Sequence, residues 1–234
     1  MSVQLNIDLG ELDDEPDELF QLCTVANVAC GGHAGDRASM RRSILRARAA
    51  GATVAAHPSY YDREGFGRRR GFSGPAEMRD VVYLQCSVLA ELAAAEGVQV
   101  SLAKAHGGLY HDANADPEVA ALMIEAVRAA LPEVRGVVGM PGSALQPIAA
   151  GVGLAFQREG FGDRRYDDRM QLVPRSAPDA LLADPQACVT QSLLLARLRR
   201  CDTLCLHGDT PNALAIARAV RAALRAEGLL AGAT

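Results

Sequence analysis

The chain has 234 residues, 49% hydrophobic and 22% charged, the balance of an ordinary globular protein with a buried core. A net charge of −4, only 4% aromatic residues and no Trp argue against a nucleic-acid partner. No apolar stretch approaches the ~18 residues that span a bilayer, and no signal-peptide pattern opens the chain. The six cysteines form no C-x-x-C pair, so reduced thiols in a cytoplasmic protein without membrane contact are expected.

In chain order, Val3 to Leu9 alternates apolar and polar residues and stops at Gly10-Glu11, which predicts a first strand carrying Asn6, Asp8 and Glu11 to one edge. A short helix through Leu19, Phe20 and Leu22 leads to a second strand, Val25 to Ala29, followed by Cys30-Gly31-Gly32-His33-Ala34-Gly35-Asp36. Asp36 is placed to cap a helix from Arg37 to Ala50, stopped by Gly51. The third strand ends at His57-Pro58, and a long polar loop, Ser59 to Ser73, carries Arg68-Arg69-Arg70. Gly74-Pro75 opens a long helix, and a fourth strand runs into Lys104-Ala105-His106-Gly107. Asp116-Pro117 begins the next helix. Val134 to Gly139 reads as strand five, followed by Met140-Pro141-Gly142-Ser143, where Ser143 could cap a short helix or backbone N–H groups could meet an anion. Leu154 to Gln157 is strand six, running into Glu159, Asp163 and Arg164. Gln171 to Arg175 fits a surface strand or a loop, and Asp184-Pro185 opens another helix. Strand seven, Thr203 to Leu206, meets His207, Gly208 and Asp209, and Thr210-Pro211 opens the last helix.

Seven apolar strands alternating with helices predict an α/β fold with a parallel sheet and helices outside. Polar residues at nearly every strand's C-terminal end favour a closed β/α barrel, in which those ends converge on one mouth. One such domain over residues 1–234 is expected, since nothing in the middle reads as a linker.

Four of the five histidines, His33, His57, His106 and His207, stand at the ends of apolar runs, and only His111 does not. With Asn6, Asp8, Glu11, Asp36, Lys104, Glu159, Asp163, Arg164 and Asp209 they form the candidate site. A carboxylate beside an imidazole supplies a general acid or base, and Lys104 or Arg164 could hold an anion. The alternative is a divalent metal on Asp8, His33 and His57, although no local ligand motif such as H-E-x-x-H is present. Asp36 and Asp209 also fit plain caps or turns. Cys30 fits a buried thiol better than a nucleophile. No P-loop motif exists.

Asn6-Ile7-Asp8-Leu9-Gly10-Glu11, Ala26 to Asp36, Ala56-His57-Pro58-Ser59, Gly65-Phe66-Gly67-Arg68, Lys104-Ala105-His106-Gly107, Phe161-Gly162-Asp163-Arg164, Leu172-Val173-Pro174-Arg175 and Leu206-His207-Gly208-Asp209 carry a resemblance. In these stretches the chain resembles the LamB/YcsF family of lactam-utilisation proteins, which includes the A-type subunit of bacterial 5-oxoprolinase. The resemblance implies a seven-stranded barrel of the glycoside hydrolase/deacetylase type. It further implies ATP-dependent opening of 5-oxo-L-proline to L-glutamate, with ATP as co-substrate of a complex with B- and C-type subunits. Asp8 and His57 are then expected as base and proton shuttle, Glu11 and His33 as their orienting partners, and Lys104, His106 and Arg164 as stabilisers of negative charge. Asn6, Asp36, Glu159, Asp163, Arg164, His207 and Asp209 are expected to bind substrate. The chain departs from the family pattern at Leu12 (usually Gly), Gly32 (usually Phe), Ala105 (usually Pro) and His111 (usually Asn). Gly32 beside His33 is expected to reshape the pocket. Competing readings are a metal-dependent carbohydrate or amide hydrolase and a non-catalytic assembly subunit.

Overall fold

The computed structural model describes residues 2–70 and 74–232. Gly71, Phe72 and Ser73, the end of the long loop read from the sequence, lie outside the described residues. Seven parallel strands close a barrel in chain order: β1 (Gln4–Leu9), β2 (Val25–Ala29), β3 (Thr53–His57), β4 (Val100–Ala103), β5 (Gly136–Gly139), β6 (Ala155–Phe161) and β7 (Thr203–His207). The helices are α1 (Asp17–Leu22), α2 (Arg37–Ala50), α3 (Pro75–Ala95), α4 (Gly107–Ala115), α5 (Pro117–Ala130), α6 (Leu145–Gly151), α7 (Pro185–Arg197) and α8 (Ala213–Ala226). None of them is long and apolar enough to cross a membrane.

The two-residue period of a strand divides the barrel wall into two faces. Leu5, Ile7, Leu9, Ala26 and Val28 belong to the main apolar core, between barrel and helices. The alternate residues Asn6, Asp8 and Asn27 turn to the lumen and bond one another there. Val25, Ala55 and Leu102 form a separate small apolar plug. Register aligns the polar set: Asp8 stands opposite Asn27 on β2 and opposite His207 on β7. His57 closes β3 opposite Ala29.

Local chemistry sets the helix ends. Asp36 accepts the Ser39 N–H in a capping box that starts α2, and Gly51 ends it at φ 70°, a left-handed conformation that costs glycine little. Asp116 and Asp184 cap α5 and α7, each followed by Pro at the first turn.

Four boundaries differ from the sequence reading. Helix α4 begins at Gly107-Gly108, two residues of poor helix propensity that hide it in the sequence. Gly108 is needed there because a Cβ would come within 3.1 Å of the Tyr60 ring. Ser143 does not cap α6: the N-cap is Ala144, without a side-chain bond. The N–H groups of Met140, Gly142 and Ser143 bond Asn114 Oδ1, Gln146 Oε1 and the Met140 carbonyl, so they are not free for an anion. Helix α8 starts at Ala213, after a Thr210-Pro211 turn and a left-handed Asn212. Strand β6 runs on to Phe161, carrying Glu159 inside the sheet. The Gln171 to Arg175 stretch bridges back to Tyr166 through Leu172.

Candidate active site

The barrel floor is a buried ion network. Lys104, just past β4, donates from Nζ to Asp8 Oδ1 at 2.7 Å and lies 3.0 Å from Glu159 Oε1. Asn27 Nδ2 donates to the same Asp8 oxygen at 2.8 Å. Burial opposes the charge on Asp8, but His57 and Lys104 outweigh it and hold the carboxyl well below its ordinary range. Burial likewise opposes the ammonium, and Asp8 chiefly overrides it, raising Lys104 well above its usual value. Both groups therefore stay ionised in a dry environment. Asp8 Oδ2 is left facing two imidazoles, His57 Nε2 at 3.3 Å and His207 Nε2 at 3.9 Å.

Beside this floor lies a carboxylate–imidazole cluster. His33 Nε2 is 2.8 Å from Glu11 Oε1, His106 Nδ1 is 3.2 Å from it and His57 Nε2 3.7 Å. Burial drives His33 down to about 4 despite its bond to Glu11, and lowers His106 in the same way. The outer ring nitrogens of two of these histidines are tied to backbone: His57 Nδ1 to the Lys104 carbonyl at 2.8 Å, and His106 Nε2 to the Phe66 carbonyl at 3.1 Å. The second ring nitrogen of a histidine is commonly fixed in this way where the first has work to do.

Across the mouth the groups change character. His207 donates from Nδ1 to Asp163 Oδ1 at 2.9 Å, and its backbone N–H donates to Asp163 Oδ2 at 2.8 Å. Burial opposes protonation of His207, but Asp163 wins and the pKa is raised. Arg164, Arg175 and Arg68 line the same cavity, about 440 Å³ in volume. Burial and then the neighbouring Arg175 lower Arg164, whose Nε is buried without a partner. Arg175 donates to Asp209 Oδ2 at 2.7 Å. Phe161, Leu172 and Tyr110 give the cavity an apolar wall.

Of the residues singled out in the sequence, Asp8, His57, Lys104, His106, Arg164 and His207 line this cavity. Glu11 and His33 sit directly behind His57 and His106. Asp163 and Asp209 support His207 and Arg175. Asn6 lies deeper, donating to Thr203 Oγ1, and Glu159 backs Lys104. Asp36 is not brought to the site: it is exposed and occupied in capping α2. Gly32 is absent from the cavity lining. A Cβ there would stand 2.4 Å from Gln85 Oε1 and from Ser59 Oγ, so Gln85 fills the space a side chain would need. Cys30 is buried, with its thiol pushed up to about 12, and accepts the His57 N–H at 3.3 Å. Sequence reasoning passed over Asn27, Arg175 and His111. Only strand register could have paired Asn27 with Asp8, whereas Arg175 stood in a recognisable motif.

The metal candidates also shift. Two groups among the described residues bring ligand atoms together, Glu11 with His33, His57 and His106, and Asp8 with Cys205 and His207. Asp8 thus falls in a different group from His33 and His57.

A family profile described as the LamB/YcsF family matches residues 3–233. The A-type 5-oxoprolinase subunit of Chloroflexus aggregans is 41% identical, the alignment covering 98% of this chain and 97% of that protein. Its counterpart in Streptomyces avermitilis is 42% identical, covering 97% of each. The crystal structure of the lactam utilization protein from Thermus thermophilus superposes with a TM-score of 0.90 at 35% identity, covering 100% of both chains. A family 4 carbohydrate esterase from Streptomyces lividans, at 16% identity and a TM-score of 0.51 over 99% of this chain and 91% of its own, shares the barrel fold alone. With a profile match over nearly its whole length and relatives near 40% identity, the chain belongs to the LamB/YcsF family.

Proposed function

We propose that this chain is the lactam-handling subunit of an ATP-dependent 5-oxoprolinase, converting 5-oxo-L-proline to L-glutamate together with two further subunits. The observation that carries the reading is the cavity itself. It sets an ionised carboxylate, Asp8, opposite a proton-holding imidazole, His207, beneath three arginines. The relatives, named as A-type subunits of 5-oxoprolinase, supply the substrate and the partners.

A γ-lactam is an unactivated amide, which is why ATP coupling makes chemical sense. Attack of the lactam oxygen on the terminal phosphorus of ATP releases ADP and leaves an electrophilic ring carbon. Water then adds to that carbon, losing a proton to Asp8 Oδ2, the oxygen that Lys104 and Asn27 leave free. The ring C–N bond breaks as His207 Nε2 delivers a proton to nitrogen, and a second water hydrolyses the resulting acyl phosphate to glutamate and phosphate. In this scheme His207 takes the proton-donor role that the family resemblance suggested for His57, because the His57 Nδ1 proton is held by the Lys104 carbonyl. The arginines Arg68, Arg164 and Arg175 hold the substrate carboxylate and the phosphoryl oxygens.

The test is glutamate release from 5-oxoproline and ATP, using this chain with and without the two partner subunits. Activity is expected only in the full mixture, and Asp8→Ala is expected to abolish it. Full-rate lactam opening by the chain alone, without ATP, would overturn the scheme.

A further inference from the structure

The backbone contacts of His57 and His106 fix where their protons are. A carbonyl oxygen only accepts, so His57 Nδ1 and His106 Nε2, which face the Lys104 and Phe66 carbonyls, must each carry the hydrogen. In the neutral rings the lone pairs are then on His57 Nε2 and His106 Nδ1. Those two atoms face each other at 3.1 Å. Glu11 Oε1, also electron-rich, completes the triangle at 3.2 Å from His106 and 3.7 Å from His57. Three acceptors converge with no donor between them, an arrangement that calls for a positive charge at the centre.

We infer that Glu11, His57 and His106 form a three-ligand site for one divalent transition-metal ion of the zinc class, open to the cavity. The triangle has the right size: tetrahedral ligands about 2.0–2.1 Å from an ion stand roughly 3.4 Å apart. The rings have the right attitude, His57 and His106 being nearly perpendicular at 89°. His33 is excluded as a ligand even though its nitrogen is near. It stacks on His106 at 3.7 Å and 1°, and in-plane lone pairs of parallel rings cannot meet at one ion. His33 instead bonds Glu11 Oε1 and orients that carboxylate. Glu11 Oε2 is buried without a partner and available as a further donor. The other converging group, Asp8 with Cys205 and His207, is unsuitable because it already holds a cation. Lys104 Nζ sits 2.7 Å from Asp8 Oδ1 and 2.9 Å from Cys205 Sγ. An ion on Glu11, His57 and His106 would polarise a carbonyl or acidify a water in the cavity that those imidazoles line.

The site is tested without reference to lactam opening. Protein purified in the absence of chelators should carry close to one equivalent of a divalent transition metal by elemental analysis. Chelator-stripped protein should bind Co²⁺ saturably, with visible ligand-field bands of a low-coordinate site. His57→Gln and His106→Gln, shown folded by circular dichroism, should weaken Co²⁺ binding at least 100-fold, whereas His33→Gln should keep one site at a roughly 10- to 100-fold loss. Metal-free wild-type protein that shows no saturable Co²⁺ binding at millimolar concentration would overturn the proposal and leave a shared proton at the centre. Unchanged Co²⁺ binding in both folded ligand variants would overturn it equally. Should those variants not fold, the wild-type metal content and Co²⁺ titration decide alone.

Discussion

The two sides of the barrel mouth solve different problems with similar residues. On the β1 to β4 side, Glu11, His33, His57 and His106 are packed dry against one another, their geometry fixed by backbone carbonyls. On the β6 to β7 side, His207 and three arginines look into open space, steadied by Asp163 and Asp209. The same imidazole is driven towards its neutral form on the first side, as His33 shows, and towards its charged form on the second, as His207 shows. What decides is the partner. Glu11 is shared among three histidines, whereas Asp163 serves His207 alone. One side is thus suited to donating electron pairs and the other to donating protons and gripping anions.

Lys104 and Asp8 stand where the two sides meet, so changing them should give the largest effects. Lys104→Met strands Asp8 and Glu159 as unpaired buried carboxylates, and removing one member of such a pair costs about 3–5 kcal/mol. Urea unfolding is the measurement, and a loss under about 1 kcal/mol would mean the network is not dry. Asp8→Asn should keep the shape and remove the base, lowering glutamate release in the reconstituted mixture by roughly 10²- to 10⁴-fold. A melting point that falls in step with activity would show that only the fold was damaged.

Glu15 gives a pH handle at the same joint. It accepts the Gly10 N–H at 2.8 Å, and burial pushes its carboxyl from 4.5 up to about 7. The raised value means that the folded chain prefers the protonated form. Its full contribution is present below pH 4.5 and fades as pH rises through 7, a swing of about 3 kcal/mol. Comparing wild type with Glu15→Gln by denaturation at pH 5 and pH 8 isolates this slope, which the variant should lack. The smallest effect is expected at the rim. Arg68 is half exposed and 3.7 Å from Asp209, so Arg68→Ala should raise KM less than tenfold, and less still in high salt. A KM insensitive to salt would place the anion elsewhere than on the arginines.

Much of the barrel was legible because its strands are buried on both faces and read as short apolar runs ending in polar residues. Asp36 was legible as a cap from the aspartate standing just before the first helical residue, and the structure finds it there. Helix α4 was hidden by Gly107-Gly108, whose use is close approach to Gly67 and Tyr60 rather than helix formation. Within the site, the residue types were visible but their pairing was not. That Asp8 belongs with Lys104 and Asn27 follows from register across the sheet. That His57 and His106 present lone pairs to one point follows from two main-chain carbonyls, which carry no side-chain signature at all.

The closing seam of the barrel has a kinetic consequence. β7 pairs with β1 across nearly the full length of the chain, Asp8 opposite His207, and contacts so distant in sequence form against a large loop-closure entropy. Until that seam shuts, Asp8 and Lys104 are still in water and their mutual attraction is weak. The chemistry of this molecule therefore comes into being with the final act of folding, and a nascent chain that has not yet delivered β7 holds no weaker version of the site, only its scattered parts.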